Sequence, residues 1–453
     1  MFKTIRNAWK IVDIRKKILF TLLILVIYRI GCVIPVPFVE IGTGGVFASL
    51  QGGANSIFGY LDTMSGGALN NATIFAMGIT PYINSSIIIQ LLCVAIPALE
   101  RLSKEGEEGR KKIATITRYL TVGLGLIQGT AFFFYLKGSK CLDPAVLGGG
   151  AGAMWFAAFV IVLSFTAGTA LIMWLGEQIN TKGIGNGISM ILFAGIVAGL
   201  PKMLYYMFPL SDMGLFYKTY SVSYWTMAQG GYTQYYFLVP AFILIFLAMI
   251  WIITFMQDAE RRLPVQYAKR VVGRKMYGGQ SSHLPIKVSM GGVMPVIFAS
   301  SILSIPSTIN MFWQPAADSF AGKVFSMLNP TGWLYLTLSF LLILAFAYFY
   351  TTIQYNPMEM ANNLKQNNGT IPGIRPGSPT ADFIKKILAR ITLIGALFLA
   401  FIYLVPSIFV AVANMPNLSM GGTSIIIVVG VALETVKQLE SQMMMRHYRG
   451  FLD

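Results

Sequence analysis

Ten apolar stretches, most of them long enough to cross a lipid bilayer as a helix, constrain this chain more than any other feature. A hydrocarbon core about 30 Å thick takes about 20 residues of helix, and inside it every backbone N–H and C=O must be satisfied by the segment itself. The stretches lie at about 18–38, 73–99, 119–136, 152–175, 184–201, 234–256, 288–312, 331–353, 391–413 and 420–434, the tenth being short. Of the 453 residues, 55% are hydrophobic and 11% charged, against about 25% charged in a soluble domain, so most of the surface must face lipid. The expected fold class is an all-α polytopic membrane protein of ten transmembrane helices. They divide into halves of five, at 18–201 and 234–434, joined by an external loop at 202–233.

Charge orients this arrangement. With the N-terminus at 1–17 placed inside, the loops at 100–118, 176–183, 257–287 and 354–390 and the C-terminus at 435–453 fall on the same side, and together they hold 28 of the 34 Lys and Arg residues. Lys137, Lys140, Lys202, Lys218 and Lys323 fall on the other side, and Arg29 alone lies within a span. The positive-inside rule therefore expects both termini in the cytoplasm. The basic start MFKTIRNAWKIVDIRKK is not followed by a short apolar core and a small-residue cleavage site, so the first stretch is expected to remain as a span.

Two features depart from uninterrupted spans. Between the first and second lies GTGGVFASLQGGANSIFGYLDTMSGGALNN, too apolar around Ile57 to Met64 for a free loop and too Gly-punctuated to cross the membrane, which reads as a re-entrant segment buried in protein. Spans also begin or break at Gly78 and Pro81, at Gly185, Asn186 and Gly187, and at Gly291, Gly292 and Pro295. Such interruptions are tolerated where a helix lines a cavity, and their distribution over five plus five spans suggests two pseudo-symmetric inverted halves around a central pathway.

Several chemistries are excluded or unsupported. A pump or solute carrier needs ionisable groups inside its spans, and these are nearly absent. Arg29 is best read as structural, through snorkelling or a backbone-carbonyl contact. No phosphate-binding G-x-x-x-x-G-K-[ST] loop occurs, and the glycines Gly183, Gly185 and Gly187 are a weak match to dinucleotide motifs. His283 and His447 lie far apart, no Cys/His cluster has metal spacing, and no nucleophile and base stand together. No catalytic activity, cofactor or metal is expected. Cys32, Cys93 and Cys141 are too few and scattered for a disulfide framework.

What remains are six motifs: GITPYINSSIIIQLL at 78–92, TKGIGNGISMILFAGIVAGLP at 181–201, ERRLPVQYAKR at 260–270, HLPIKVSMGGVMPVIFASSI at 283–302, PGIRPG at 372–377 and GGTSIIIVVGV at 421–431. In these motifs, in order along almost the whole chain, it resembles the SecY family of protein-conducting channels. The resemblance implies a central channel subunit of a translocon around a central pore in the bacterial plasma membrane. It would pass unfolded secretory proteins across the membrane and release hydrophobic segments sideways into lipid. An unfolded chain presents every size and polarity of side chain, so such a pore needs a deformable nonpolar collar that closes by dewetting, not a fixed set of polar ligands.

By motif position, the resemblance gives a pore ring of Ile79, Ile83, Ile188, Leu192, Ile297 and Ile427, in which Ile79/Ile83 and Ile188/Leu192 are i, i+4 pairs on one helix face. The re-entrant segment resembles the family's plug and comprises Asn55, Ser56, Ile57, Phe58, Gly59, Tyr60, Leu61, Asp62, Thr63, Met64, Ser65, Gly66 and Gly67. Spans two and seven would form a lateral gate. There Asn84, Ser85, Ser86 and Gln90 would face Ser300 and Ser301 across a seam of hydrogen bonds worth about 0.6 kcal/mol each, weak enough to part for a signal sequence.

In the family the two long basic loops dock the ribosome and the SecA motor ATPase. Here Arg261, Arg262, Lys269, Arg270, Arg274, Lys275 and Arg375 would carry that contact, meeting ribosomal RNA phosphates through salt-dependent pairs. Part of the same charge serves orientation and anionic lipid headgroups. SecE-like and SecG-like subunits are implied by the resemblance alone.

Overall fold

A helix survives inside a bilayer only while its backbone ladder closes on itself, so helix boundaries report where the chain can leave lipid. The computed structural model describes residues 2–40, 65–139, 141–143, 150–207, 233–267, 270–272, 275–277, 281–312, 332–413 and 422–449, with isolated residues 62, 148, 319, 322, 324, 327 and 328. Ten helices correspond to the ten apolar stretches, with three shorter helices on the face that carries the termini. They are α1 (Phe2–Lys10), α2 (Val12–Gly31), α3 (Thr80–Ala95), α4 (Pro97–Lys104), α5 (Glu107–Gly138), α6 (Gly150–Lys182), α7 (Gly187–Met207), α8 (Thr233–Asp258), α9 (Met294–Phe312), α10 (Trp333–Gln354), α11 (Pro357–Gln366), α12 (Ser378–Ala413) and α13 (Gly422–Arg449). Among the described residues, five helices are long and apolar enough to cross a bilayer outright, and α3 with α4, a pair bent by 103°, makes a sixth span if counted as one. Pro97 lacks the N–H that would continue the ladder and disfavours helix at Ile96, which takes an extended φ of −110° at the bend.

Several boundaries differ from the apolar runs for identifiable reasons. Helix α3 starts at Thr80, seven residues into its run, because 66–79 forms a succession of turns. The segment 176–183, expected as a loop, is helical to Lys182 and leaves only a tight turn before α7. The tenth span is not short. Helix α13 continues unbroken to Arg449, its apolar part passing into a polar extension. Likewise α12 begins at Ser378 because its first turns are amphipathic and bury Ile384, Ile387 and Leu388 against the sheet described below.

The termini share one face. Ala8 and Ile14 pack with Ile184 and Leu439, so the N-terminal helix, the α6–α7 turn and the C-terminal extension form one small core. The spans of the first half pack as α2 on α6, α3 on α5 and α5 on α6; in the second, α9 packs on α10, α10 on α12 and α8 on α13. The halves meet along two seams, α9 against α3 and α5, and α13 against α7. A repeat underlies this: Gly78-Ile-Thr-Pro-Tyr-Ile83 and Gly292-Val-Met-Pro-Val-Ile297 share Gly, Pro and Ile at the same spacing, and both glycines have φ of +56°. Apolar side chains such as Leu23, Val26, Phe159 and Leu244 point outward from the bundle, as lipid contact requires. Trp155 and Trp333 lie near the starts of α6 and α10, where aromatic side chains anchor a span at the interface.

Outside the spans are two small antiparallel sheets that hydrophobic run length does not report. Strand β1 (Glu260–Tyr267) pairs with β4 (Ser281–Lys287) and, through Gln266 and Tyr267, with β5 (Gly369–Thr370); β2 (Arg270–Val272) pairs with β3 (Lys275–Tyr277). Leu263, Val265 and Ile286 alternate inward on β1 and β4 and meet Leu364, Ile371 and α12 in a separate core.

The turn between α6 and α7 shows how closely spans approach. A Cβ at Gly187 would overlap the Gly176 carbonyl. The turn's amides are met by side chains from three helices: Ile184 N–H donates to Thr21 Oγ1 at 3.1 Å, Gly185 N–H to Gln438 Oε1 at 2.8 Å and Gly187 N–H to Asn180 Oδ1 at 2.7 Å. Gly187→Ala is therefore expected to lower stability by about 1–3 kcal/mol through overpacking, whereas Gly199→Ala, whose Cβ position meets nothing within 4 Å, is not. Unfolding midpoints of the two purified variants check this, and an unchanged midpoint for Gly187→Ala removes the close-approach account.

Candidate functional site

The two seams converge on the largest buried cluster in the molecule, and the residues expected to ring a pore lie in it. Ile79, Ile83, Leu192, Ile297 and Ile427 are buried there, and Ile188 is half-buried against it. Each comes from a helix at a seam between the halves: α3, α7, α9 and α13. Each also lies near its helix N-terminus, just after Gly78, Gly187, Gly292 or Gly422. Ile79 is the N-cap of α3 rather than an interior residue, and its carbonyl still accepts from Ile83 N–H at 3.1 Å, so the pair shares one face across the first turn. The cluster is wholly apolar at these six positions. Among the described residues, no group of three or more His, Cys, Asp or Glu side chains is placed to hold a metal ion.

Sequence reading left out one residue that the fold adds. In the repeat, Val293 stands where Ile79 does, and it packs against the same cluster with its Cγ2 only 2.5 Å from where a Cβ on Gly430 would lie. Comparing the segments after Gly78 and Gly292 would have found it; a search by span length does not.

On the face opposite the termini, residues 65–78 form a compact knot in front of α3. Of the thirteen plug candidates, Asp62, Ser65, Gly66 and Gly67 are described, and Asn55 to Leu61, Thr63 and Met64 lie outside the described residues. Asp62 accepts from Asn70 N–H through Oδ1 at 2.7 Å and from Gly67 N–H through its carbonyl at 2.8 Å. Ser65 Oγ donates to the Asp62 carbonyl at 3.0 Å and accepts from Leu69 N–H at 3.2 Å. The knot is tied to α2: Tyr28 OH donates to the Ser65 carbonyl, and Arg29 Nη1 to the Gly66 carbonyl, both at 3.2 Å. Arg29 thus makes the backbone-carbonyl contact that its place in an apolar span suggests.

The α3·α9 seam differs from expectation. Ser85, Ser300 and Ser301 are buried, Asn84 and Ser86 half-buried and Gln90 exposed. Ser85 Oγ donates to the Pro81 carbonyl of its own helix at 2.8 Å, and Ser300 Oγ to the Ile297 carbonyl of its own at 2.9 Å. No hydrogen bond runs between these six residues across the seam. The reason is geometric: a serine in a helix has a carbonyl three or four residues back within reach, with no reorganisation of its neighbour needed.

The basic loops are joined rather than separate. Pairing of β5 with β1 brings the loop after α10 onto the hairpin after α8, and their shared apolar core makes one platform on the face of the termini. Arg261 and Arg262 are exposed on β1, where Arg262 Nε lies 2.7 Å from Glu260 Oε1. Arg270 and Lys275 lie on β2 and β3, while Lys269 and Arg274 fall outside the described residues. Arg375 is exposed on a turn bounded by Gly373 and Gly377, whose φ values are +83° and +107°, and its carbonyl accepts from Thr380 Oγ1 at 2.8 Å.

A family model described as SecY matches residues 73–436. The chain is 44% identical to Protein translocase subunit SecY of Halalkalibacterium halodurans over 460 aligned positions that take in all of both chains. Its backbone is similar to that of a protein conducting channel, with a TM-score of 0.61, 16% identity and coverage of 95% of this chain and 92% of the other. It is similar in the same way to Sec61 in the canine ribosome–channel complex from the endoplasmic reticulum, with a TM-score of 0.59, 16% identity and the same coverage.

Because Ser85 and Ser300 satisfy their own helices, Ser85→Ala and Ser300→Ala should each change stability by less than about 0.5 kcal/mol, and the double variant should be additive within about 0.5 kcal/mol. A coupling above that in a double-mutant cycle would mean that the two hydroxyls meet.

Proposed function

The chain belongs to the SecY family, and on that premise, a central channel subunit of the protein translocon and not an enzyme, we propose that Ile79, Ile83, Ile188, Leu192, Ile297 and Ile427 form its constriction. The observation that carries this reading is their convergence from four helices of both halves in one apolar cluster. Aliphatic side chains at such a point exclude water and ions by dewetting, then part around an extended peptide without recognising its sequence. Val293, by its place in the repeat, belongs to the same ring. The segment from Asn55 to Gly67 is the plug on the far side of that ring. The α3·α9 seam, held by apolar contact, is the lateral gate through which a hydrophobic segment leaves for lipid.

The protein is a multi-pass membrane protein, and we place it in the bacterial plasma membrane with both termini in the cytoplasm. The segments that alternate onto the side of the termini hold 28 of the 34 Lys and Arg residues in the sequence, and the described parts of both termini share one small core, which supports that orientation; the relative at 44% identity is from Halalkalibacterium halodurans. On the cytoplasmic side the β1–β4–β5 platform is the docking surface for a ribosome and for the SecA motor, with Arg261, Arg262 and Arg375 exposed on it. The likeness to a channel from a ribosome complex supports the first of these partners. SecE-like and SecG-like subunits complete the complex in this reading.

Ile427→Asn places an amide in the ring, and it should raise resting ion conductance in planar bilayers and ease passage of substrates with weak signal sequences. Unchanged conductance would count against the ring. Arg375→Glu should impair SecA-driven translocation into vesicles while membrane insertion and fold stay intact, and normal translocation by that variant would remove the docking role of the turn.

A further inference from the structure

The mechanism just described uses no charged residue inside the membrane, yet one is present. Arg29, the lone Lys or Arg within a span, sits where a cation is costly unless backbone or partner groups receive it. Its guanidinium meets the Gly66 carbonyl at 3.2 Å. Gly66 also rests against α7. A Cβ built there would lie 2.5 Å from Arg29 Nη1 and 3.1 Å from both the Cα and the carbonyl oxygen of Gly195. Gly66 also has a φ of +70°, a left-handed conformation that L side chains rarely adopt. The peptide at Gly66 thus meets both a cation from α2 and the bare backbone of α7.

That contact bears on the ring from two sides. Gly195 lies less than one turn beyond Leu192 on α7. The knot that begins at Ser65 returns to it at Gly78, where a Cβ would lie 3.6 Å from Ser65 Cβ, and the next residue is Ile79. Further contacts make the knot stiff: Phe75 stacks on Tyr28 with centroids 5.9 Å apart, Ile74 N–H donates to the Ile34 carbonyl at 3.0 Å, and Val36 N–H to the Ala72 carbonyl at 3.1 Å. Holding Gly66 against Gly195 therefore fixes the entry of α3, which carries Ile79 and Ile83, relative to α7, which carries Ile188 and Leu192.

We infer that Arg29 is a positioning residue of the constriction, whose hydrogen bond to the Gly66 carbonyl sets the spacing between the α3 and α7 members of the ring. The inference rests on the reading of those residues as the ring. Arginine suits the task because its charge is permanent and the N–H donors in its rigid plane can be aimed edge-on at a carbonyl oxygen. Loss of that contact lets the two pairs of aliphatic side chains draw apart without touching any of them.

The test uses the assembled complex in planar bilayers, with Arg29→Met, Arg29→Lys, Gly66→Ala and Ile427→Asn compared with the parent. Losing a hydrogen bond to a charged group should shift the closed state enough to raise resting conductance about tenfold in Arg29→Met. Gly66→Ala, which displaces the guanidinium from the carbonyl and also presses on Gly195, should leak at least as much. The Arg29→Met, Gly66→Ala double variant should leak no more than Gly66→Ala alone, because the arginine's contact is already lost there. Arg29→Lys, which keeps a cationic donor, should leak less than Arg29→Met. A purely structural role predicts instead lower unfolding midpoints with parent-like conductance. If Arg29→Met and Gly66→Ala stay tight while Ile427→Asn leaks, the positioning role is overturned and the ring survives. If Ile427→Asn is tight as well, the ring itself fails. Should Arg29→Met not assemble, Arg29→Gln, which removes the charge and leaves Gly66 and its contact with Gly195 untouched, decides the question by the same readouts.

Discussion

A peptide group in hydrocarbon has no water to bond with, and each one left unsatisfied costs several kcal/mol. The architecture follows from where the chain escapes that demand. Along most of each span the helix ladder meets it, so the side chains are free to be uniformly apolar. At the starts of α3, α7 and α9 it is met differently: the turn before α7 is met by side chains of neighbouring helices, and those before α3 and α9 mostly by carbonyls three residues back within the turn. Such turns could not face lipid, and the three helices that begin with them meet in the central cluster.

Near the central cluster, polar side chains are spent on the backbone while the residues of the cluster itself are apolar. Thr21, Asn180 and Gln438 each satisfy one amide of the α6–α7 turn, binding α2, α6 and α13 to a point close to Ile188. In the knot before Ile79, Tyr28 and Arg29 donate to the Ser65 and Gly66 carbonyls, and Asp62 accepts from the Asn70 amide. The polar groups fix the backbone, and the aliphatic side chains it presents are left with no partner to select. In the proposed constriction, this arrangement holds the aliphatic side chains in a definite place and leaves them indifferent to what passes.

The platform on the terminal face obeys ordinary aqueous rules. Strands β1 and β4 alternate buried and exposed residues, and the amphipathic start of α12 closes a small core beneath them. Val288 N–H donates to the Ala259 carbonyl at 2.9 Å, so the hairpin is closed at its base between the end of α8 and the approach to α9. Isolated surface ion pairs such as Arg262 with Glu260 contribute little to stability, and most of the exposed charge is available to partners and headgroups.

The sequence by itself determined the class of fold, the ten apolar stretches and the family's motifs, because run length and short motifs are local quantities read along one dimension. It did not determine that Ser85 and Ser300 turn back on their own helices, since the nearby carbonyl is visible only once the helix and its neighbour are placed. The pairing of β5 with β1 was equally hidden: it joins two loops separated by about a hundred residues, and two residues of strand carry no periodic signal. Arg29 shows the division most plainly. Its presence in an apolar run called for a carbonyl partner, but which carbonyl, and that the partner lies between α2 and α7 beside the ring, was decided by packing, where contacts between distant residues are chosen by shape and not by sequence separation.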